Sequence, residues 1–305
     1  MKKLFAMFFI VFVCSLLGSF GETKNERGKI VEVSSFVFGV PAAHAGEKKE
    51  KEGVYDRVMR TGKVRCGYVV IDPTFIKDPN TGAFSGIVYE LMEEIGSILD
   101  LDIEWTEEVS FGTAIAGLRA GRYDAICSSL YARPNVMKDL ELTEPYYFVP
   151  INVYVRKGDR DRFQTYDDLN KPDVKISYMD GTIPALIKRT DFPSAGSLAL
   201  PDFNYSDILL GVSTGKADVT FVEPSIALAY MDKNPDTLEL LPALSPVRFF
   251  PNVFGVLKGE HDLNTMLSWA IRYLQYNGQI EAILQKYERY PGSFVRVSKA
   301  YVMPE

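Results

Sequence analysis

The sequence predicts an α/β protein of two lobes, each a mostly parallel sheet flanked by helices, joined by two hinge strands with a cleft between the lobes. Three observations predict it. Short apolar runs alternate with segments of helical period, in strand–helix–strand order. One helix-to-strand motif occurs twice. Two further strand-like runs, 151–157 and 249–258, are placed to pass once out and once back between the halves. The chain of 305 residues suits two domains of ordinary size. Its 47% hydrophobic and 24% charged residues are globular values, which excludes a disordered, collagen-like or polytopic membrane chain.

The first strand is expected at 64–70, followed by turns at Pro73 and Asp78-Pro79-Asn80-Thr81-Gly82. Ser85 stands at the cap position of a helix running to about residue 101. Its apolar positions Val88, Leu91, Met92, Ile95, Ile98 and Leu99 follow the 3.6-residue period. Residues 102–105 alternate as a strand. Ser110 reads as the cap of a second helix, 111–120, which Gly121 ends before a strand at 124–128. The order then recurs. A strand at 174–178 leads through the Gly181-Thr182 turn into a helix at 183–188. Ser206 opens a helix that ends at Gly215, and a strand follows at 218–222. Pro224 sits just inside the next helix, where its missing N–H is tolerated, and 238–241 closes the set. Residues 262–290 read as two helices separated by Asn277-Gly278, returning to cover the first lobe. The lobes are therefore expected at 54–153 with 250–305, and at 154–249.

The repeated motif is Gly117-Leu118-Arg119-Ala120-Gly121-Arg122-Tyr123-Asp124-Ala125 against Gly211-Val212-Ser213-Thr214-Gly215-Lys216-Ala217-Asp218-Val219. The second glycine of each supplies the left-handed residue that stops a helix, and the basic residue complements the helix C-terminus. Coincidence between two common turns is the alternative. If the repeat is structural, Ser129 and Glu223 occupy matching places at the carboxyl ends of their strands, where open parallel sheets bind ligands.

Lys2 and Lys3 precede an apolar run at 4–17 broken only by Ser15, too short to span a bilayer comfortably and suited to a signal-peptide core. Cleavage fits after Gly21 or, with better small-x-small chemistry, after Ala45. Residues 1–45 are taken as the signal, with a retained membrane anchor as the alternative. Cutting after Ala45 removes five basic and three acidic residues and takes the net charge from −6 to −8. An acidic chain is a poor binder of phosphate backbones, so no nucleic-acid partner is expected. The mature chain keeps one histidine, His261, and two cysteines, Cys66 and Cys127. No metal site and no cofactor are expected. Export favours an oxidising compartment. The cysteines pair only if their strands lie side by side; two buried free thiols are the preferred reading.

At this point the sequence resembles the family 3 extracellular solute-binding proteins, the amino-acid-type binding components of ABC importers. The resemblance covers about residues 54–290. It rests on Thr61-Gly62-Lys63-Val64-Arg65-Cys66-Gly67, Pro73-Thr74-Phe75, Phe84-Ser85-Gly86, Ala120-Gly121-Arg122-Tyr123-Asp124, Leu142-Thr143-Glu144-Pro145-Tyr146-Tyr147, Val155-Arg156-Lys157-Gly158 and Gly215-Lys216-Ala217-Asp218 in that order. It implies a type II periplasmic binding protein fold, a periplasmic or extracellular location, a small-molecule ligand, ABC permease membrane subunits as partners, and action as a monomer. It implies that Phe75 and Phe111 stack on the ligand and that Ser128 and Ser129 offer polar groups. Gly181 and Thr182 would present a helix N-terminus to a carboxylate, and Glu223 would bind an ammonium. Tyr131 is a further candidate, for stacking or for hinge packing. One departure stands out. Where the family carries an arginine that grips the ligand carboxylate, this chain has Val136, and Arg133 lies three positions earlier.

The expected function is capture of a small polar solute by hinge closure, without chemistry. An enzyme on the same fold, dehydratase-like and acting on a small carboxylate, is one alternative, with Glu223 as its base. His261, beside Asp262 at a helix start, is expected at the surface. A sensory protein that presents ligand to a receptor is the other alternative.

Overall fold

The strands and helices follow from the apolar periods, and their order along the chain fixes where the cleft falls. The structure, a computed structural model, describes residues 52–201 and 205–297. The expected signal peptide and both candidate cleavage positions lie outside the described residues. The first part of the chain gives α1 (Val54–Thr61), β1 (Lys63–Tyr68), a short hairpin of β2 (Ile76–Lys77) and β3 (Phe84–Ser85), α2 (Ile87–Leu99), β4 (Asp102–Glu108), α3 (Ala114–Arg119), β5 (Ala125–Tyr131), α4 (Pro134–Met137) and β6 (Leu140–Leu142). Strand β7 (Tyr147–Arg156) leads into α5 (Tyr166–Leu169), β8 (Lys175–Met179), α6 (Ile183–Asp191), β9 (Gly196–Leu200), α7 (Tyr205–Ser213), β10 (Val219–Val222), α8 (Pro224–Lys233) and β11 (Leu238–Leu240). Strand β12 (Arg248–Leu257) returns to α9 (His261–Tyr276) and α10 (Gln279–Tyr287).

The strands join in the order β4-β1-β5-β12-β7-β10-β8-β9. Strands β4, β1 and β5 are parallel, as are β10, β8 and β9. Between these groups β12 and β7 run antiparallel to each other and to their outer neighbours. Each middle strand changes partners along its length. Residues Tyr147 to Ile151 of β7 pair with β12, while Asn152 to Val155 pair with β10. Residues Arg248 to Asn252 of β12 pair with β7, and the strand then turns to β5 and β6. The two crossing strands thus carry the chain between one parallel set and the other.

Helix α2 buries Ile87, Val88, Leu91, Met92 and Ile95 on one stripe against the β1–β5 side. Its Gly96 is a point of close approach: a Cβ there would lie 2.6 Å from the Leu101 carbonyl and 2.9 Å from Ile103 Cγ1. Two expected caps are corrected. Gly86, not Ser85, is the N-cap of α2, because Ser85 is held in the β2–β3 hairpin. Residues 111–113 form a turn before α3, with the Ser110 and Thr113 hydroxyls 3.1 Å apart, so the helix starts three residues later than Ser110 suggested.

The repeated motif is a repeated structure. Gly121 at φ 69° and Gly215 at φ 76° end their helices in the left-handed region. Asp124 then accepts the Arg65 N–H of β1 at 2.8 Å, and its own N–H donates to the Arg65 carbonyl at 2.8 Å. Asp218 does the same with Lys175 at the head of β8, at 2.8 Å and 2.8 Å. Each aspartate, one residue ahead of its own strand, pins that strand to its parallel neighbour. Asp124 is buried and also pairs with the guanidinium groups of Arg57 and Arg65.

The preference for free thiols is overturned. Cys66 and Cys127 form a disulfide with their Cα atoms 5.4 Å apart. The physical reason is register: Cys66 of β1 lies opposite Ala125 of β5, which brings Cys127 within reach on the next strand. The bond closes a stretch of 61 residues. On the chain-entropy account such a loop constrains the unfolded state by about 4 kcal/mol. The double variant Cys66→Ser, Cys127→Ser is expected to lose stability of that order in urea unfolding, and reductant should lower the wild type but not the variant.

Candidate functional site

The antiparallel middle strands turn the carboxyl ends of β5 and β10 toward each other. The side chains that follow those ends meet. Tyr131, the last residue of β5, donates its hydroxyl to Glu223 Oε1, the first residue after β10. Glu223 is the N-cap of α8 in extended conformation, and its backbone carbonyl accepts from Ile226 and Ala227 at 3.2 and 3.1 Å. Pro224 at the first helical position fixes this entry. The Tyr131 ring packs on Phe250 of β12, with centroids 5.4 Å apart. Of the two roles left open for it, hinge packing is the one seen here: the ring lies on the hinge strand and the hydroxyl reaches Glu223.

More tyrosines surround the carboxylate. The Ser129 hydroxyl lies 3.1 Å from Tyr147 OH and 3.3 Å from Tyr146 OH at the head of β7. Burial pushes the Glu223 carboxyl above its ordinary 4.5, against the pull of the Tyr131 hydrogen bond. Burial also lifts Tyr131 well above the usual phenol range, with the Glu223 charge adding to it. Tyr147 rises for the same two causes, opposed by its bond to Ser129. Tyr205, at the start of α7, is pushed up to about 12 by burial and then by Glu223, while Arg133 opposes. One carboxylate thus acts on three phenols drawn from both lobes, with a guanidinium at the margin.

Among the expected site residues, the structure brings together Ser129, Tyr131, Glu223 and, through Tyr205, Arg133. Arg133 is the N-cap of α4 and its Nε is buried without a protein partner. Val136 is turned into a small apolar core with Val69, Val109, Leu130 and Leu140, so this position contributes no polar group to a ligand. Three expectations need correcting. Phe75 is fully buried, stacked on Tyr68 at 4.6 Å and packed on Trp105 at 4.8 Å and Phe84 at 5.1 Å. It is a core aromatic of the first lobe, since its faces are taken up by other rings. Ser128 is 1% exposed and shares the face of Ile126 and Leu130, because successive strand residues alternate. It points away from Ser129 and Tyr131. Thr182 is also buried, and both its hydroxyl (2.5 Å) and its N–H (3.3 Å) go to the Met179 carbonyl. It closes the turn after β8, with Gly181 at φ 79° just ahead of the N-terminus of α6. Phe111 is exposed in the turn before α3. His261 is exposed as expected and pairs with Glu141 at 2.8 Å.

Sequence reasoning passed over Tyr147 and Tyr205 as site residues. The signal for Tyr147 was present: it directly follows Pro145-Tyr146 at the point where the chain leaves the first lobe. Tyr205 precedes the serine that was read as a cap, and that reading hid it.

Residues 65–289 match the model of the bacterial extracellular solute-binding proteins, family 3. The chain belongs to this family. Among similar proteins is the L-cystine-binding protein TcyJ of Escherichia coli, 22% identical over 238 residues, covering 77% of this chain and 86% of that protein. A probable amino-acid ABC transporter periplasmic-binding protein of Sinorhizobium fredii is 25% identical over 251 residues, covering 76% and 80%. Solved structures agree on the fold. A putative ABC-transporter binding component from Wolinella succinogenes, complexed with lysine, superposes with a TM-score of 0.63 at 20% identity, over 75% of this chain and 97% of that one. The ancestral amino acid-binding protein AncCDT-1 gives 0.62 at 22%, over 77% and 99%.

The Glu223 carboxyl releases its proton at higher pH in the folded chain than in the unfolded one. Below about 4.5 it is protonated in both states and its contribution is fully present. As pH rises through the folded value, ionising the buried group weakens the folded state. Glu223→Gln keeps an acceptor for Tyr131 and removes that loss. Its stability advantage over the wild type should widen from about pH 4.5 upward in urea titrations, and a constant offset would contradict the burial of this carboxyl.

Proposed function

We propose that this protein is an exported binding protein that captures a small polar solute by closing its two lobes, and presents it to the membrane subunits of an ABC permease. The lobes are assigned to 54–153 with 250–305, and to 154–249. The working compartment is the periplasm or the extracellular space. The observation that carries the reading is the contact of Tyr131 and Glu223 from the carboxyl ends of strands in opposite lobes, beside two strands that alone link the parallel sets. In two-lobed folds joined by hinge strands, the cleft at such a meeting point is where solutes bind. Family membership supports it, as do the amino-acid transporter names of the relatives. The ligand does not depend on a paired arginine grip at position 136, because that residue is core.

One observation favours turnover instead: the raised Glu223 carboxyl could act as a base. The polar groups gathered around it are tyrosines and one serine, which suit binding and hydrogen bonding. A mass change in a bound solute would move the assignment to an enzyme.

The test is a thermal-shift screen of the mature protein against amino acids, amines, small carboxylates and sugars. A solute at about 100 times its dissociation constant should stabilise the fold by roughly 2.7 kcal/mol. The radius of gyration should fall when it is added, as the lobes close. Glu223→Ala should abolish the shift. A folded protein that responds to no member of any class would overturn the proposal.

A further inference from the structure

Residues 288–297 follow α10 and lie against both lobes. The family match ends at Arg289, so almost all of this segment stands beyond the shared pattern. Its seat is on the first lobe. The Glu288 carboxylate accepts the N–H groups of Gly292 and Phe294 at 2.9 and 3.1 Å, and Arg296 bridges Glu288 and Glu281 at 2.6 and 2.9 Å. Val295 exchanges two backbone hydrogen bonds with Phe148 of the hinge strand β7, at 2.7 and 2.8 Å. Phe294 is buried and packs on Tyr147 with centroids 5.1 Å apart, and that tyrosine meets Ser129. From this seat the segment reaches the second lobe. Arg289 and Tyr290 both donate to Oδ2 of Asp232 on α8, at 3.2 and 2.5 Å, and the guanidinium lies over the Tyr290 ring.

We propose that residues 289–296 form a strap that positions α8, and with it Glu223, and so holds the two lobes at a set angle. Its bearing on solute affinity rests on the solute-capture reading above; the strap itself does not. Helix α8 carries Glu223 at its N-cap and Asp232 in its last turn. At 1.5 Å per residue these ends stand about 14 Å apart. Tyr131 holds the first end and the strap holds the second. One contact leaves a rigid helix free to swivel about the crossing strands, whereas contacts at both ends fix its direction. The place of the aspartate supports this role. A negative charge in the last turn opposes the helix dipole, so Asp232 weakens α8 unless donors from outside the helix meet it. The seat of the strap is already ordered, so little freedom is lost when Arg289 and Tyr290 engage. An exposed ion pair is weak, yet the lobe arrangements of a hinged protein lie close in free energy, and a contact of that size shifts their populations a few-fold. The arrangement the strap favours is the one in which Tyr131 meets Glu223, so weakening it makes the closed form rarer and lowers affinity.

The experiment measures the separation of the lobes in the solute-free mature protein, by double electron–electron resonance between spin labels at Ser97→Cys and Asp173→Cys, with the Cys66–Cys127 bridge intact. Both positions are exposed, one in each lobe. Arg289→Glu sets two anions against each other and should raise the population of displaced separations about threefold over the wild type. Asp232→Lys should do the same against Arg289. The double variant Arg289→Glu, Asp232→Lys restores opposite charges and should return to the wild-type distribution. Arg289 is 75% and Asp232 51% exposed, so the urea midpoint should be unchanged in all three. For a solute found in the thermal-shift screen, affinity should fall about threefold in each single variant and recover in the double one. Single variants with the wild-type distribution of distances overturn the proposal, and so does a double variant displaced by the sum of the two singles. The distances are read without solute. Failure of every solute class in the screen therefore removes solute capture and leaves the test of the strap decisive.

Discussion

Two antiparallel strands set between two parallel groups impose the constraint on which everything else rests. A parallel group directs its strand ends one way, and inserting β12 and β7 reverses the direction for the group beyond them. The carboxyl ends of β5 and β10 must therefore face each other rather than open on opposite sides of the molecule. Residues that follow those ends meet with no need for long loops. The same two strands are the chain's crossing points between lobes, so the meeting place lies at the pivot. Small rotations there act directly on the Tyr131 and Glu223 pair.

Each lobe reaches this arrangement with the same local device. A helix stops at a left-handed glycine, and an aspartate three residues on hooks a backbone N–H of the neighbouring parallel strand, Arg65 of β1 or Lys175 of β8. The hook sets the register of β5 against β1 and of β10 against β8. Register in turn decides which residues stand toward the far end of each strand, five positions after the aspartate. Ser129 and Glu223 are the outcome. A buried anion at Asp124 with two guanidinium partners makes the first hook the more heavily supported of the two.

Much of this was legible in the sequence. The apolar periods located the α2, α9 and α10 helices and the main strands, and the two matched motifs exposed the repeated lobe plan. Strand β9 escaped notice because its side chains are half-buried or exposed at the sheet edge, which leaves little apolar pattern to read. Site residues were harder. Glu223 follows the end of β10, and Ser129 and Tyr131 stand among the last residues of β5, so topology places them. Phe75 has the spacing of a cleft aromatic, yet its environment is decided by Tyr68, Phe84 and Trp105, which are distant in sequence or on other elements. Thr182 was read from its helix-start position, but the turn uses its hydroxyl internally. Tyr205 enters the site through the packing of α7, which no local pattern encodes. The pairing of Cys66 with Cys127 hung on strand adjacency, and composition could not decide it.

That sulfur bridge links maturity of the fold to chemical surroundings. While the chain is held in a reducing milieu, β1 and β5 are neighbours without a staple, and the first lobe stays easier to unravel. Once thiols can oxidise, the lobe is fastened on one side of the pivot only. Both cysteines of the described residues belong to β1 and β5, so the second lobe has no comparable fastening. Among the described residues the finished molecule therefore carries its covalent cross-link in one half and none in the other, so the unfolded ensemble is narrowed unevenly along the chain.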